Sequence, residues 1–194
     1  LFILFFMVTL PYMLILKSPS SLKTNPISTH NGTPQNRLHC RNRIFSNMKH
    51  WLLKTEPEEW SWDDQKSSPI PTPWDGVRNK QAQNNLKSMS LGDLCLFYHS
   101  GKEKRVMGVV KVTQTWYSEG EEKVLVDVEA AGEMRKPVGL KEMKEDKWIV
   151  ENFPRFALLR QPRLSVVPVP EEIWARVCDM GNGFDANMVN LDNE

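Results

Sequence analysis

Hydrophobic positions along this chain fall mostly into short runs with a period of two, interrupted by two stretches with a helical period. Over Leu94–Ser100, Leu94, Leu96 and Tyr98 share one face of a predicted strand, and Cys95, Phe97 and His99 share the other. Residues 101–105 form a polar break, and Val106–Thr113 reads as the next strand, so the pair predicts a hairpin. Val124–Glu129 alternates apolar and polar residues and predicts a further strand, and His50–Lys54 predicts a buried one that ends at Thr55-Glu56-Pro57. Ala82, Leu86 and Met89 lie at i, i+4 and i+7, which predicts a helix over residues 80–89 that Arg78 and Asn79 lead into. Pro170–Cys178 has Pro and acids in its first turn, Gly181 past its end, and Ile173, Trp174 and Val177 as its buried stripe. Between these elements, Ser61-Trp62-Asp63-Asp64 has the form of a helix N-cap, and residues 67–73 form a Pro-rich loop. Pro137–Met143 reads as a helical turn and Lys144–Lys147 as a charged, solvated loop. Phe156–Leu159 and Leu164–Val167 are two more apolar pieces. Short antiparallel strands with few helices between them predict an α+β fold built on a small β-barrel.

The pattern changes at Met48. Leu1–Leu16 is apolar and uncharged but too short for a membrane span of roughly 20 residues, and Pro11 interrupts it. Residues 17–47 are rich in Ser, Thr, Asn, Pro and basic residues and contain no acid. Residues 1–47 are therefore expected to be a leader: a disordered or spurious stretch upstream of Met48, a transit peptide or, third, a secretion signal. The folded domain is expected over 48–180, with a frayed tail over 181–194.

Composition narrows the partners. The chain has 194 residues, is 40% hydrophobic and carries a formal charge of +1. That charge is unevenly spread, because the first 54 residues hold seven cations and no acid. From Thr55 onward 18 Lys and Arg face 24 Asp and Glu, a charge of −6 that disfavours strong sequence-independent adhesion to a phosphate backbone. Cys40, Cys95 and Cys178 are widely spaced, with no Cys-x-x-Cys and no nearby His pair, so no metal site, cofactor or disulfide framework is expected.

The chemistry concentrates in Pro73-Trp74-Asp75-Gly76-Val77-Arg78-Asn79. Trp74 offers a flat π face and Asp75 two acceptors. Gly76 permits a backbone shape or a close approach that a Cβ would block, and a helix starts just after it. Its N-terminus favours anions and acceptors. An ordinary loop around a core Trp fits these seven residues equally well.

Four motifs in order, Trp51-Leu52-Leu53-Lys54-Thr55-Glu56-Pro57, Trp74-Asp75-Gly76-Val77-Arg78-Asn79, Phe97-Tyr98-His99-Ser100 and Arg160-Gln161-Pro162-Arg163-Leu164-Ser165-Val166, resemble the EVE domain family over about Lys49 to Val177. The resemblance implies a PUA-like fold, a small mixed or antiparallel β-barrel with flanking helices, related to the YTH readers of methylated RNA. It also implies recognition of a modified nucleobase, 5-methylcytosine or an oxidised form in DNA above all. Two departures from the family pattern stand out: Thr55 replaces the usual Ser, and Trp116–Lys123 is short and acidic where relatives often carry a longer loop.

By that resemblance the base pocket comprises Lys54, Thr55, Glu56, Trp74, Asp75, Gly76, Val77, Asn79, Tyr98, His99 and Ser100. Trp74 is the stacking wall and Asp75 the acceptor for an exocyclic amine. Arg78, Arg155, Arg160 and Arg163 are the phosphate-binding candidates. The expected partner is nucleic acid with a modified base, DNA over RNA, bound by a monomer without membrane or metal. A nuclear location is expected, or a plastid or mitochondrion if residues 1–47 are a transit peptide. Competing readings are a binder of methylated RNA or of a methyl-lysine peptide, and a hydrolase using Asp75, His99 and Cys95.

Overall fold

The computed structural model describes residues 48–120 and 123–186. The leader expected over 1–47 lies outside the described residues, as do residues 187–194. Among the described residues there are seven strands and six helices. In chain order these are β1 (His50–Thr55), α1 (Trp62–Ser67), β2 (Thr72–Trp74), α2 (Lys80–Lys87), β3 (Leu94–His99), β4 (Arg105–Glu119), β5 (Lys123–Gly139), α3 (Leu140–Glu145), α4 (Lys147–Asn152), α5 (Ala157–Arg160), β6 (Val166–Val169), α6 (Glu171–Met180) and β7 (Phe184–Ala186). The strands run β2-β5-β4-β3-β1-β6 across one sheet, with β7 added on β5. β1 and β3 are parallel, and all other pairs are antiparallel.

The two strands that end this path each contain a proline, Pro73 in β2 and Pro168 in β6. Proline lacks the N–H a central ladder requires, so an edge is where a strand can hold it. That explains why the stretch read as a Pro-rich loop is partly strand. α2 packs on β5 and β6, and Asn85 Nδ2 donates to the Val166 carbonyl at 2.8 Å.

Both faces of β1 and β3 are covered. Leu52, Leu53, Leu96 and Phe97 are fully buried, as expected for strands that read as continuous apolar runs. Asp93, also buried, accepts from Trp51 Nε1 at 2.8 Å and from the backbone N–H groups of Lys49 and Ser90 at 3.0 Å each. α1 starts at the predicted cap. Ser61 accepts from the Asp64 N–H, and the Asp64 carboxylate reciprocates at the Ser61 N–H. This helix can press on β4 only because Gly108 lies beneath Trp62, where a Cβ would sit 2.4 Å from the indole.

Three expectations change. β4 and β5 run to 15 and 17 residues, well past Thr113 and Glu129, so most of Trp116–Lys123 is a paired hairpin end rather than loop. The charged stretch 144–147 joins two short helices, with Asp146 capping α4 and bonding Arg176 at 2.6 Å. The tail expected from residue 181 begins with β7, whose Phe184, Asp185 and Ala186 pair with Met134, Glu133 and Gly132. Phe156–Leu159 contributes a helical turn, whereas Val166–Val169 forms β6.

Candidate nucleic-acid interface

A cavity of about 540 Å³ opens where the end of β1, the turn after it, β2, the residue following β3 and the segment before β6 meet. The parallel pairing of β1 and β3 sets its floor. Thr55 lies opposite His99, and the next residue, Ser100, donates to the Thr55 carbonyl through both its N–H (2.7 Å) and its hydroxyl (3.0 Å). Lys54 N–H donates to the Ser165 carbonyl at 2.9 Å, which holds the approach to β6 against β1. The turn 56–60 closes on itself, with the Glu59 and Trp60 N–H groups donating to the Glu56 carbonyl.

Two indoles line this hollow. Trp74 is only 7% exposed and meets Phe97 edge to face, with centroids 5.7 Å apart, so it is a core residue that also forms cavity wall. Trp60 is half-buried, and its Nε1 donates to Gln65 Oε1 at 3.0 Å, an oxygen that also accepts from Thr72 Oγ1 at 3.1 Å. This pins the ring. Trp60 sits one residue before the Ser61 cap and reaches the residue four into the helix, the two positions that a hydrophobic staple couples.

Charge at the site is mixed. The Lys54 ammonium lies 3.3 Å from the Pro162 carbonyl and 3.5 Å from that of Gln161, and burial lowers its pKa from 10.5 to about 8. Glu56, Glu59 and Asp75 are exposed lining residues, as is Arg163 on the segment before β6. Gly76, at φ +68°, turns the chain between Asp75 and Val77, with open space where a Cβ would go. Of the two reasons for a glycine here, backbone conformation is the operative one. The bond from the Tyr117 hydroxyl to Asp127 at 2.8 Å pushes that hydroxyl up to about 12, with Asp75 the smallest of the contributors.

Comparison with known proteins places this architecture. The EVE domain profile matches residues 49–180. The chain belongs to the EVE domain family. Human thymocyte nuclear protein 1 is 30% identical over 172 residues, covering 72% of this chain and 76% of its own length. Among solved structures, a protein from Agrobacterium tumefaciens superimposes with a TM-score of 0.65 at 37% identity, over 70% of this chain and 94% of its own. Human THYN1 in complex with 5-methylcytosine-containing DNA superimposes with a TM-score of 0.62 at 30% identity, over 69% and 97%. The mixed α+β fold is the PUA-like one of these EVE relatives.

Within this EVE domain the cavity brings together Lys54, Thr55, Glu56, Trp74, Asp75, Gly76, Val77, Ser100 and Arg163. It does not include six other positions expected in the base pocket or along the phosphates. Tyr98, paired with Lys54 in the sheet, is 3% exposed, and burial pushes its hydroxyl up to about 12. His99 is equally buried. Its Nε2 accepts the Trp62 N–H at 2.9 Å, so the ring proton sits on Nδ1, which donates to Glu103 at 2.7 Å. Asn79 caps α2 by accepting from the Ala82 N–H, and Arg78 is exposed beyond the cavity.

Arg155 and Arg160 also lie elsewhere. Arg155 lines a separate, mainly apolar cavity of about 740 Å³ beside His50, Trp51 and Phe156, and Arg160 Nε donates to the Pro154 carbonyl. Cys95 is wholly buried, its thiol pushed well up by desolvation, and is not at the cavity with Asp75. Asp75, His99 and Cys95 therefore do not assemble into a hydrolytic site. Trp60, Glu59 and Thr72 line the cavity and were not singled out from sequence, whereas Pro73, Pro162 and Ser165 stood within its motifs without a role assigned to them. For Trp60 its place directly before the Ser61 cap was the available signal; for Glu59 and Thr72 spacing alone offered none. Among the described residues no cluster of His, Cys, Asp and Glu could hold a metal, and no helix is long and apolar enough to cross a membrane.

Proposed function

We propose that this EVE domain is a non-catalytic reader of DNA that takes a modified base, 5-methylcytosine first, out of the helix and into the cavity lined by Trp60 and Trp74. The observation that carries the reading is a cavity of ligand size, about 540 Å³, lined by two indoles in a fold whose human relative is in complex with 5-methylcytosine-containing DNA. Stacking a base on an aromatic contributes about 1–3 kcal/mol. Glu56 and Asp75 supply acceptors for the N4 amine of cytosine, and Pro73 and Val77 offer apolar contact to a methyl group. Lys54 and Arg163 face the phosphates on either side of the extruded nucleotide.

The test is fluorescence anisotropy with matched DNA probes, single- and double-stranded, carrying cytosine or 5-methylcytosine. Binding at least tenfold tighter to the methylated probe is expected, and equal affinity rejects the reading. Methylated RNA and trimethyl-lysine peptides form the competing arms, and tighter binding by either replaces DNA as the partner. The protein is proposed to act as a monomer in the nucleus. Its mass in solution and the position of a fluorescent fusion of the full chain check both, and a plastid or mitochondrial signal contradicts the second.

A further inference from the structure

α2 leaves the cavity mouth as a helix without a single acidic residue, in a region that is acidic overall. Ala82, Gln83 and Leu86 face the core, while Lys80, Asn84 and Lys87, at i, i+4 and i+7, form an exposed strip. Arg78 precedes that strip. Lys66, Lys111 and Lys136 each sit within 3 Å of a carboxylate, but Arg78, Lys80 and Lys87 have no carboxylate partner among the described residues. Unpaired cations aligned on one face are what a polyanion requires, and self-neutralised ones are not.

The far end of the strip meets an exposed aromatic. Trp116, on the distal part of β4, is 45% exposed, and Lys87 Nζ lies 5.2 Å from its ring centroid. Its position relative to the cavity follows from the ladder. On β5, Val126 pairs with Trp74 of the cavity wall, and the adjacent Leu125 pairs with Tyr117, the neighbour of Trp116. Two strand spacings, about 10 Å, therefore separate β2 from the Trp116 strand. Eight residues of α2 span a similar 12 Å or so, the reach of about three or four stacked nucleotides.

We propose that the exposed face of α2 together with Trp116 is a second contact surface that holds the DNA strand flanking the extruded base. Lys80 and Lys87 take phosphates, and Trp116 lies against the face of a base a few nucleotides away. This inference rests on the base-reader reading of the cavity and extends it along the strand. It assigns the short hairpin end of β4 and β5 a role in affinity for the strand, separate from recognition of the modified base.

Two single-stranded DNA probes separate the surfaces: a trinucleotide centred on 5-methylcytosine, which reaches only the cavity, and a fifteen-nucleotide strand with the same centre. Trp116→Ala and the double variant Lys80→Gln with Lys87→Gln are each expected to weaken the long probe about tenfold and leave the trinucleotide unchanged. The lysine pair should also lower the slope of log affinity against log salt by about 1.4, at roughly 0.7 per phosphate contact in single strands. Unchanged binding of the long probe, in variants where Trp74→Ala still abolishes the preference for 5-methylcytosine, overturns the α2 surface and leaves the cavity reading standing. Lysine-dependent binding with no preference for the methylated probe does the reverse. Loss of both probes in a folded Trp116→Ala protein also overturns the proposal, because the ring would then serve the cavity itself.

Discussion

The imidazole of His99 accepts the backbone N–H of Trp62 at 2.9 Å, tying the end of β3 to the first turn of α1 just two residues beyond Trp60. The opposite ring nitrogen donates to Glu103, which Arg105 also holds at 2.9 Å, so the tautomer is set by its surroundings. His99 is thus a positioning residue for the cavity wall. His99→Ala should destabilise the fold by about 2 kcal/mol, the cost of leaving a buried N–H unsatisfied. It should weaken binding of methylated and unmethylated probes alike. Urea unfolding with parallel anisotropy checks this, and a stable variant with selective loss of methylated binding would place His99 at the base instead.

Trp74 and Trp60 should respond differently. Trp74 is nearly buried against Phe97, so Trp74→Ala is expected to cost about 3–5 kcal/mol of stability as well as base discrimination. Trp60 is half-buried, and Trp60→Ala should cost less stability yet weaken the methylated probe by about tenfold. Denaturation midpoints measured beside dissociation constants distinguish them. An undiminished affinity in Trp60→Ala would remove that ring from the binding wall.

Two glycines differ in why they are glycine. Gly76 has left-handed backbone and open space around it, so Gly76→Ala should cost about 1 kcal/mol, and Gly76→Asn less. Gly108 has ordinary strand geometry, but a Cβ there would overlap the Trp62 ring, so Gly108→Ala should cost about 3 kcal/mol and shift α1 with Trp60. Thermal unfolding of the two variants ranks them, and equal losses would contradict this assignment.

Lys54 gives the site a pH signature. Its pKa is lowered by burial from 10.5 to about 8, so between those values the unfolded chain binds a proton that the folded chain does not. Stability from this group therefore rises with pH across roughly 8 to 10.5 and is lost again as pH falls toward 8. Compared with Lys54→Met, the wild type should gain stability over that window in urea titrations. DNA affinity of the wild type should meanwhile fall as pH rises through 8, because the ammonium charge is lost, whereas Lys54→Met should stay flat. A parallel pH dependence in the two proteins would exclude Lys54 as the titrating group.

Local patterning alone determined the paired strands around Leu94 and Val106, the Ser61 cap, the helix carrying Ala82 and Leu86, and the helix carrying Ile173 and Trp174. These are readable because periodicity, capping and turn chemistry act over a few residues, and the motif set was dense enough to indicate the EVE family and its PUA-like fold. Tertiary structure decided what those residues face. Tyr98 and His99 stand in the same short motif as Ser100, yet the pairing with β1 and the approach of α1 bury both, while the strand's end leaves Ser100 at the cavity. Trp60, Pro162 and Ser165 reach the same hollow from segments about a hundred residues apart, through bonds such as Lys54 N–H to the Ser165 carbonyl. Which unpaired cations and which exposed indole share one surface is likewise set by how α2 crosses the sheet. A cavity is a property of distant segments packed together, and its members carry no shared local signal because nothing local holds them there.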